Sequence, residues 1–106
     1  MTVLNCLKPG LGEKLYERAL VLESGKRGHR VAIQREFTVD YEGHEIGMLR
    51  PDLIVDDLVI VETKVVTAFH ESEIAQVIGY LSITGLRLGL LLNFKSNRLG
   101  WKRIVR

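Results

Sequence analysis

A chain of 106 residues with 46% hydrophobic content is expected to form one globular domain, residues 1–106, around a modest core, with no room for a second. It contains no run of about 18 uncharged apolar residues, and the opening MTVLNCLKPGLGEK lacks the basic-then-apolar layout of a secretory signal; a soluble cytoplasmic protein without a membrane partner is expected. A net charge of +2 is too small to announce nucleic acid by itself, and the lone Cys6 excludes an intrachain disulfide framework and a thiolate zinc cluster, leaving it as a structural residue with the burial habit of free cysteine.

In chain order, Leu11, Leu15, Ala19 and Leu22 recur at spacings of three and four and predict a first helix over residues 10 to 24, ending near Gly25. From His29 to Tyr41 the pattern alternates, with Val31, Ile33, Phe37 and Val39 on one face of a half-exposed strand. Glu42-Gly43 turns the chain into a second strand that reaches about Val55, interrupted near Pro51. The run LVIVETKVV, residues 58 to 66, is apolar and β-branched enough to be a central strand, with Asp56-Asp57 supplying the turn before it.

A second helix is predicted over 71 to 84, with Ile74, Val77, Ile78 and Leu81 on its buried stripe and Gly85 capping its end. The apolar strand LRLGLLLNF follows. A strand-helix-strand succession implies a right-handed crossover, so the strands at 58 to 66 and 86 to 94 are expected to be parallel. Trp101 to Val105 adds a short edge strand. The predicted fold class is α/β, an α-β-β-β-α-β(-β) mixed sheet flanked by helices.

Three charged residues interrupt the most apolar part of the chain: Asp52 in RPDLIV, and Glu62 and Lys64 in VIVETK. An ionised group in a buried strand is penalised by several kcal/mol unless it is paired or coordinated, so the three must find partners in one another and in a cation. Period two puts Glu62 and Lys64 on one face, and a three-residue turn at Asp56, Asp57 and Leu58 would set Asp52 directly opposite Glu62. A two-residue turn would set Asp52 opposite Val61 instead and spoil the site. Two converging carboxylates suit Mg²⁺ or Mn²⁺, with the Thr63 carbonyl as a further ligand and Lys64 placed to hold a nucleophile or stabilise an oxyanion. The competing arrangement is a buried Asp/Glu/Lys salt-bridge network without catalysis.

The Asp-x9-Glu-x-Lys pattern resembles the signature of the PD-(D/E)XK nuclease superfamily, and the predicted element order is similar to its restriction-endonuclease-like core. More narrowly, Gly10, Glu13 and Tyr16 in PGLGEKLYERAL match the motif that names the small bacterial GxxExxY proteins, whose later segments are similar to RPDLIVDDLVIVETK, AQVIGYL, TGLRLGLLLNF and the basic end. The resemblance implies a Mg²⁺- or Mn²⁺-dependent nuclease with nucleic acid as its partner, DNA ahead of RNA. It gives Asp52, Glu62 and Lys64 the catalytic roles. Glu13 corresponds to a first-helix acid that helps hold the metal directly or through water, and helical geometry aligns Glu13, Tyr16 and Leu20. Gln76 and Tyr80 match the QxxxY spacing of RecB-type nucleases, where this helix approaches the site.

Two basic clusters stand out. Lys95, Arg98, Lys102, Arg103 and Arg106 crowd the end of the chain with no acid among them, the first four being the candidate nucleic-acid contacts; Lys26, Arg27, Arg30 and Arg35 form the other cluster. His29, His44 and His70 have no metal or triad spacing and read as surface residues. A binding or scaffold protein that keeps the nuclease fold is the alternative function. A 12 kDa core offers a short track for a duplex, which leaves a homodimer or a partner protein as a third arrangement.

Overall fold

The computed structural model describes residues 2–106. It opens with a helix that the periodicity did not announce, α1 (Thr2–Leu7), which buries Val3 and Leu4 and leaves Cys6 exposed. The expectation of a buried structural cysteine is therefore corrected: the short helix has one apolar side, and Val3 and Leu4 take it.

The first predicted helix is present as α2 (Glu13–Lys26), but the face it buries differs from the expected stripe. Tyr16, Glu17 and Leu20 are buried, whereas Leu15 and Leu22 are 47% and 70% exposed. Tyr16 decides this orientation. Its ring stacks on Phe94 with centroids 4.7 Å apart, and its hydroxyl donates to Lys8 O at 2.6 Å and accepts from Leu11 N at 3.1 Å. Residues 10 to 12 are then held as a turn, with Gly10 at φ +111, instead of the helix's first residues. Buried Glu17 is compensated by Lys14 at 3.2 Å.

The strand predicted from His29 to Tyr41 is two strands in different sheets, β1 (Val31–Ile33) and β2 (Phe37–Tyr41). Gln34, at φ +50, ends the first, and Ile33 is 55% exposed despite its place in the alternation. The next predicted strand divides likewise into β3 (His44–Leu49) and β4 (Leu53–Val55), with Arg50-Pro51 between them. Proline removes a ladder donor, which is why the chain changes sheets there. β2 and β3 form a separate hairpin through the expected Glu42-Gly43 turn, with a bulge between Val39 and Asp40.

β5 (Val59–Lys64), α3 (Glu71–Thr84), β6 (Leu88–Asn93) and β7 (Gly100–Val105) complete the fold. The five-stranded sheet runs β1-β4-β5-β6-β7, with β5 and β6 parallel as expected and the other pairs antiparallel. On one face, Val3, Leu4, Tyr16 and Leu20 pack on Leu53, Val61 and Phe94; on the other, Val77 and Leu81 of α3 pack on Ile54, Ile60, Leu91 and Ile104. Gly85, at φ +78, caps α3 and donates to Leu81 O at 3.0 Å, as its sequence position foretold. Ile78, expected on the buried stripe, is 50% exposed because one helix face of this width holds only Val77 and Leu81 fully, with Ile74 at the margin. No helix among the described residues is long and apolar enough to cross a membrane.

Helix α3 sits so close to β6 that a methyl group built on Gly89 would lie 2.5 Å from Val77 Cγ1. Overpacking of that kind costs about 1–3 kcal/mol. Gly89→Ala should lower stability by that amount in urea titration, and a Gly89→Ala/Val77→Ala double variant should lose less than the sum of the two single changes.

Candidate active site

The turn between β4 and β5 decides the site. Val55 pairs with Val59, leaving Asp56, Asp57 and Leu58 as the three-residue loop, and the ladder Leu53↔Val61, continued by one residue, sets Asp52 against Glu62. Both aspartates of the loop have positive φ, +54 and +56, a conformation that Asp tolerates better than most residues. The loop is also held from outside. Asp56 accepts from Arg30 N at 2.9 Å and meets His29 Nδ1 at 2.7 Å, while Arg35 and Arg30 reach Asp57 at 3.2 and 3.8 Å. These contacts hold the Asp56 carboxyl below its ordinary range, the Arg30 N–H being the largest cause. The basic cluster at 26 to 35 is thus largely engaged with the chain's own acids, since Arg27 also pairs with Glu23 at 3.2 Å.

Asp52 and Glu62 point to the α3 side of the sheet, as Ile54 and Ile60, two residues from each, also do. They are locked together through the backbone. Asp52 N donates to Glu62 Oε2 at 2.8 Å, and Thr63 N and Oγ1 donate to Asp52 Oδ2 at 3.1 and 3.3 Å. Thr63 therefore contributes its N–H and hydroxyl to the arrangement. Glu62 is only 2% exposed. Burial, and after it the neighbouring charge of Asp52 and a carboxyl–carboxyl hydrogen bond to it, push the Glu62 pKa up to about 8; the Asp52 N–H and the charge of Lys64 oppose this less strongly.

Lys64 ends β5 on the same face, yet among the described residues it forms no ion pair within 4.0 Å. The salt-bridge network is therefore not formed, and the carboxyl pair lacks a counter-cation at contact distance. Asp52 Oδ1 and Glu62 Oε1 accept no N–H or hydroxyl donor among the described residues. Two carboxyl oxygens that share a proton and take no other donor suit a hard divalent cation, which would replace that proton. Among the described residues no three His, Cys, Asp or Glu side chains gather closely enough to form a metal cluster on their own, so the pair stands as a two-carboxylate donor set.

Glu13 reaches the backbone just beyond β5: Oε1 accepts from Val65 N at 3.2 Å. Beside it is a residue that sequence reasoning missed. Asn93 accepts from Val66 N at 3.1 Å and donates to Val66 O at 2.8 Å, and Phe94 N donates to Lys64 O at 2.9 Å. The segment leaving Lys64 is clamped from α2 and from the end of β6, which fixes where the lysine stem departs. The signal available was an asparagine closing an otherwise apolar strand, a residue type suited to bonding backbone.

Gln76 and Tyr80 are brought together on α3, with Gln76 Nε2 donating to Tyr80 Oη at 3.0 Å. Tyr80 packs against the Ile54/Ile60 cluster beside the carboxyl pair. Its phenol is pushed up in pKa by burial and then by the charges of Glu62 and Asp52, which keeps its proton in place. The basic end does not form one patch. Lys102 is paired with Leu91 and Arg103 with Leu90, so the two project to opposite faces of β7, while Lys95 and Arg98 lie in the exposed loop before it. Arg106 binds the carbonyls of Leu86 and Gly85. His29 pairs with Asp56, His70 caps α3 and His44 is exposed on the hairpin.

Two outcomes follow. The folded state retains a Glu62 proton that the unfolded chain releases, so this group makes stability fall as pH rises from about 4.5 to about 8. Glu62→Gln should flatten that part of the profile and be more stable than the parent at pH 9 without divalent ions; thermal melts across pH, with and without Mg²⁺, read both effects. Asn93→Ala should speed hydrogen exchange at Val66 N, leave the central Val61 amide protected, and cost about 1–2 kcal/mol for its lost backbone bonds.

A family model described as the PD-(D/E)XK nuclease superfamily matches residues 1–104. No curated protein matches. Among solved structures, the crystal structure of SSO0001 superposes with a TM-score of 0.63 at 17% identity, over 88% of this chain and 50% of that one. An alkaline exonuclease (LHK-Exo) from Laribacter hongkongensis superposes with a TM-score of 0.53 at 15% identity, over 88% and 55%. The chain thus spans about half the length of the solved proteins it matches, and at these identities the likeness is one of fold. That fold is the expected restriction-endonuclease-like α/β arrangement, and a family match over almost every residue, on strands that bring Asp52, Glu62 and Lys64 to one end of the sheet, shows that the chain belongs to the PD-(D/E)XK nuclease superfamily.

Proposed function

We propose that this protein is a nuclease that hydrolyses phosphodiester bonds in nucleic acid with the help of Mg²⁺ or Mn²⁺. The observation that carries the reading is the buried Asp52–Glu62 pair: two carboxyl groups fixed by backbone hydrogen bonds, each with an oxygen that no backbone or hydroxyl donor occupies, and Lys64 on the same face but bonded to neither. A pair kept only for stability would be expected to take the lysine as counter-ion, since an uncompensated buried charge costs several kcal/mol. Membership of a nuclease superfamily and the fold shared with an exonuclease support the same conclusion. The narrower kinship with the GxxExxY proteins is supported by a physical task for each motif residue: Gly10 makes the turn, Glu13 holds Val65 N and Tyr16 locks α2 onto Phe94.

Asp52 and Glu62 would hold the cation through Oδ1 and Oε1, with the Thr63 carbonyl and a water-bridged Glu13 as the proposed remaining protein ligands. A divalent ion bound there supplies a more acidic water and a positive charge against the phosphate oxygens. The chain's own work is positional. Thr63 orients Asp52, the Asp52 N–H orients Glu62, and the clamp from Glu13 and Asn93 aims Lys64, whose ammonium stabilises negative charge developing on the phosphate. Lys95 and Arg98, flanking the end of the sheet where Lys64 lies, are proposed to meet the phosphate backbone, with Lys102 and Arg103 on separate faces of β7.

Incubation with labelled DNA and RNA, single- and double-stranded, should give cleavage with Mg²⁺ or Mn²⁺ and none with chelator. Lys64→Ala should lower kcat by about 10²-fold or more while keeping metal-induced thermal stabilisation; Asp52→Asn should lose both. Full metal-dependent cleavage by Lys64→Ala would remove this residue from the mechanism. Outright unfolding of Lys64→Ala without rescue by Mg²⁺ would support a non-catalytic scaffold.

A further inference from the structure

An open cleft of about 410 Å³ lies between the β2–β3 hairpin and α3, lined by Val39, Leu49, Gln76, Gly79, Tyr80 and Ile83. No charged residue lines it. Tyr80 joins it to the carboxyl pair, because the same side chain packs on the Ile54/Ile60 cluster from which Asp52 and Glu62 follow along their strands. One glycine lines the cleft and another stands beside it. Gly79 occupies the interior of α3, where glycine costs about 1 kcal/mol relative to alanine, and a Cβ built on it would meet nothing within 4 Å. Gly47, directly across from Val39 on the hairpin, has the same open space and the same lack of a packing reason. Both glycines leave bare backbone that a bound group can approach closely.

The chemistry of the lining identifies the occupant. Val39, Leu49 and Ile83 offer apolar surface and Tyr80 a ring, while the cleft's one polar edge carries both hydrogen-bonding senses. Because Gln76 donates to the Tyr80 oxygen, the Tyr80 O–H remains free to donate, and Gln76 Oε1 remains free to accept. A flat heteroaromatic group with donors and acceptors on its rim meets both demands. A duplex does not, since its bases are stacked and paired. The hairpin wall opposes a second row of phosphates as well: Asp40, Glu42 and Glu45 crowd it, Asp40 and Glu45 stand opposite one another, and no lysine or arginine lies between Phe37 and Leu49.

We infer that the cleft between the hairpin and α3 is a base-binding subsite for one unpaired nucleotide next to the scissile phosphate, which makes the protein selective for single strands. The inference rests on the nuclease reading for its purpose but on the cleft for its geometry. Gly79→Leu is the discriminating variant, because leucine fills the open space and is a better helix former than glycine, so its thermal midpoint should match or exceed that of the parent. Binding is measured in chelator by fluorescence anisotropy on a labelled oligothymidylate, on a duplex of the same length, and on an abasic strand with the same phosphates.

The parent should prefer the oligothymidylate over the duplex and the abasic strand by about tenfold, the scale of burying one base against aromatic and apolar side chains. Gly79→Leu should lose that preference and bind all three alike. A parent that binds the abasic strand or the duplex as tightly as the oligothymidylate, or a folded Gly79→Leu variant with the preference intact, overturns the subsite. Cleavage in Mg²⁺ is scored separately. Base-dependent binding without metal-dependent cleavage upholds the subsite and removes the hydrolytic reading, whereas cleavage without any base preference does the reverse.

Discussion

The register between β4 and β5 is the constraint on which the rest depends. Side chains alternate along a strand, so one residue more or fewer in the connecting loop would turn every β4 side chain to the other face of the sheet. With Asp56, Asp57 and Leu58 in the loop, Leu53 joins the α2 side of the core, Ile54 joins the α3 side, and Asp52 meets Glu62. The two positive-φ aspartates make this loop unfavourable on local grounds alone. It is held by His29 and Arg30 from the α2–β1 connection and by Arg35 from the β1–β2 connection, which bond the carboxyl groups of Asp56 and Asp57. A cluster of bases far from the candidate site thus acts on it through the loop that sets the register.

Burying an acid pair is a cost the fold carries in a specific way. The hydrogen bond from Asp52 N engages Glu62 Oε2 and those from Thr63 N and Oγ1 both engage Asp52 Oδ2, so the pair is oriented without being neutralised. In the absence of a cation, Glu62 answers by holding its proton to about pH 8. The penalty on a second negative charge that raises this pKa is one that either a proton or, under the proposed function, a divalent ion would relieve. The backbone that leaves Lys64 is tied to Glu13 and Asn93, so the point from which the lysine stem departs is held from two other elements.

The sheet and the hairpin divide the labour. Both large apolar clusters lie on the five-stranded sheet, one under α1 and α2 and the other under α3, and they make the rigid support for the acid pair. The β2–β3 hairpin contributes Phe37 to the second cluster, turns Val39 and Leu49 toward α3 and leaves its tip in solvent, with Tyr41 and Ile46 63% and 66% exposed. It does not carry either acid. Under the proposed function, substrate selection would sit on an element separate from the one that holds the acids.

The sequence by itself determined the α/β class, the central strand, the parallel pairing of β5 with β6, the limits and cap of α3, and the group Asp52, Glu62 and Lys64. Each of these is written in local terms: a β-branched run, a helical period ending in glycine, or charges in an apolar strand whose period is two. Only the tertiary structure decided which face α2 buries, because stacking on Phe94 outweighs the count of leucines on the opposite side. It alone divided the predicted hairpin between two sheets and separated Lys102 from Arg103, and it alone joined Glu13 and Asn93 to the backbone beyond Lys64. Those contacts span tens of residues, and no local period or propensity records them. They exist because two distant segments meet across a sheet whose order is settled only when all its strands are in place.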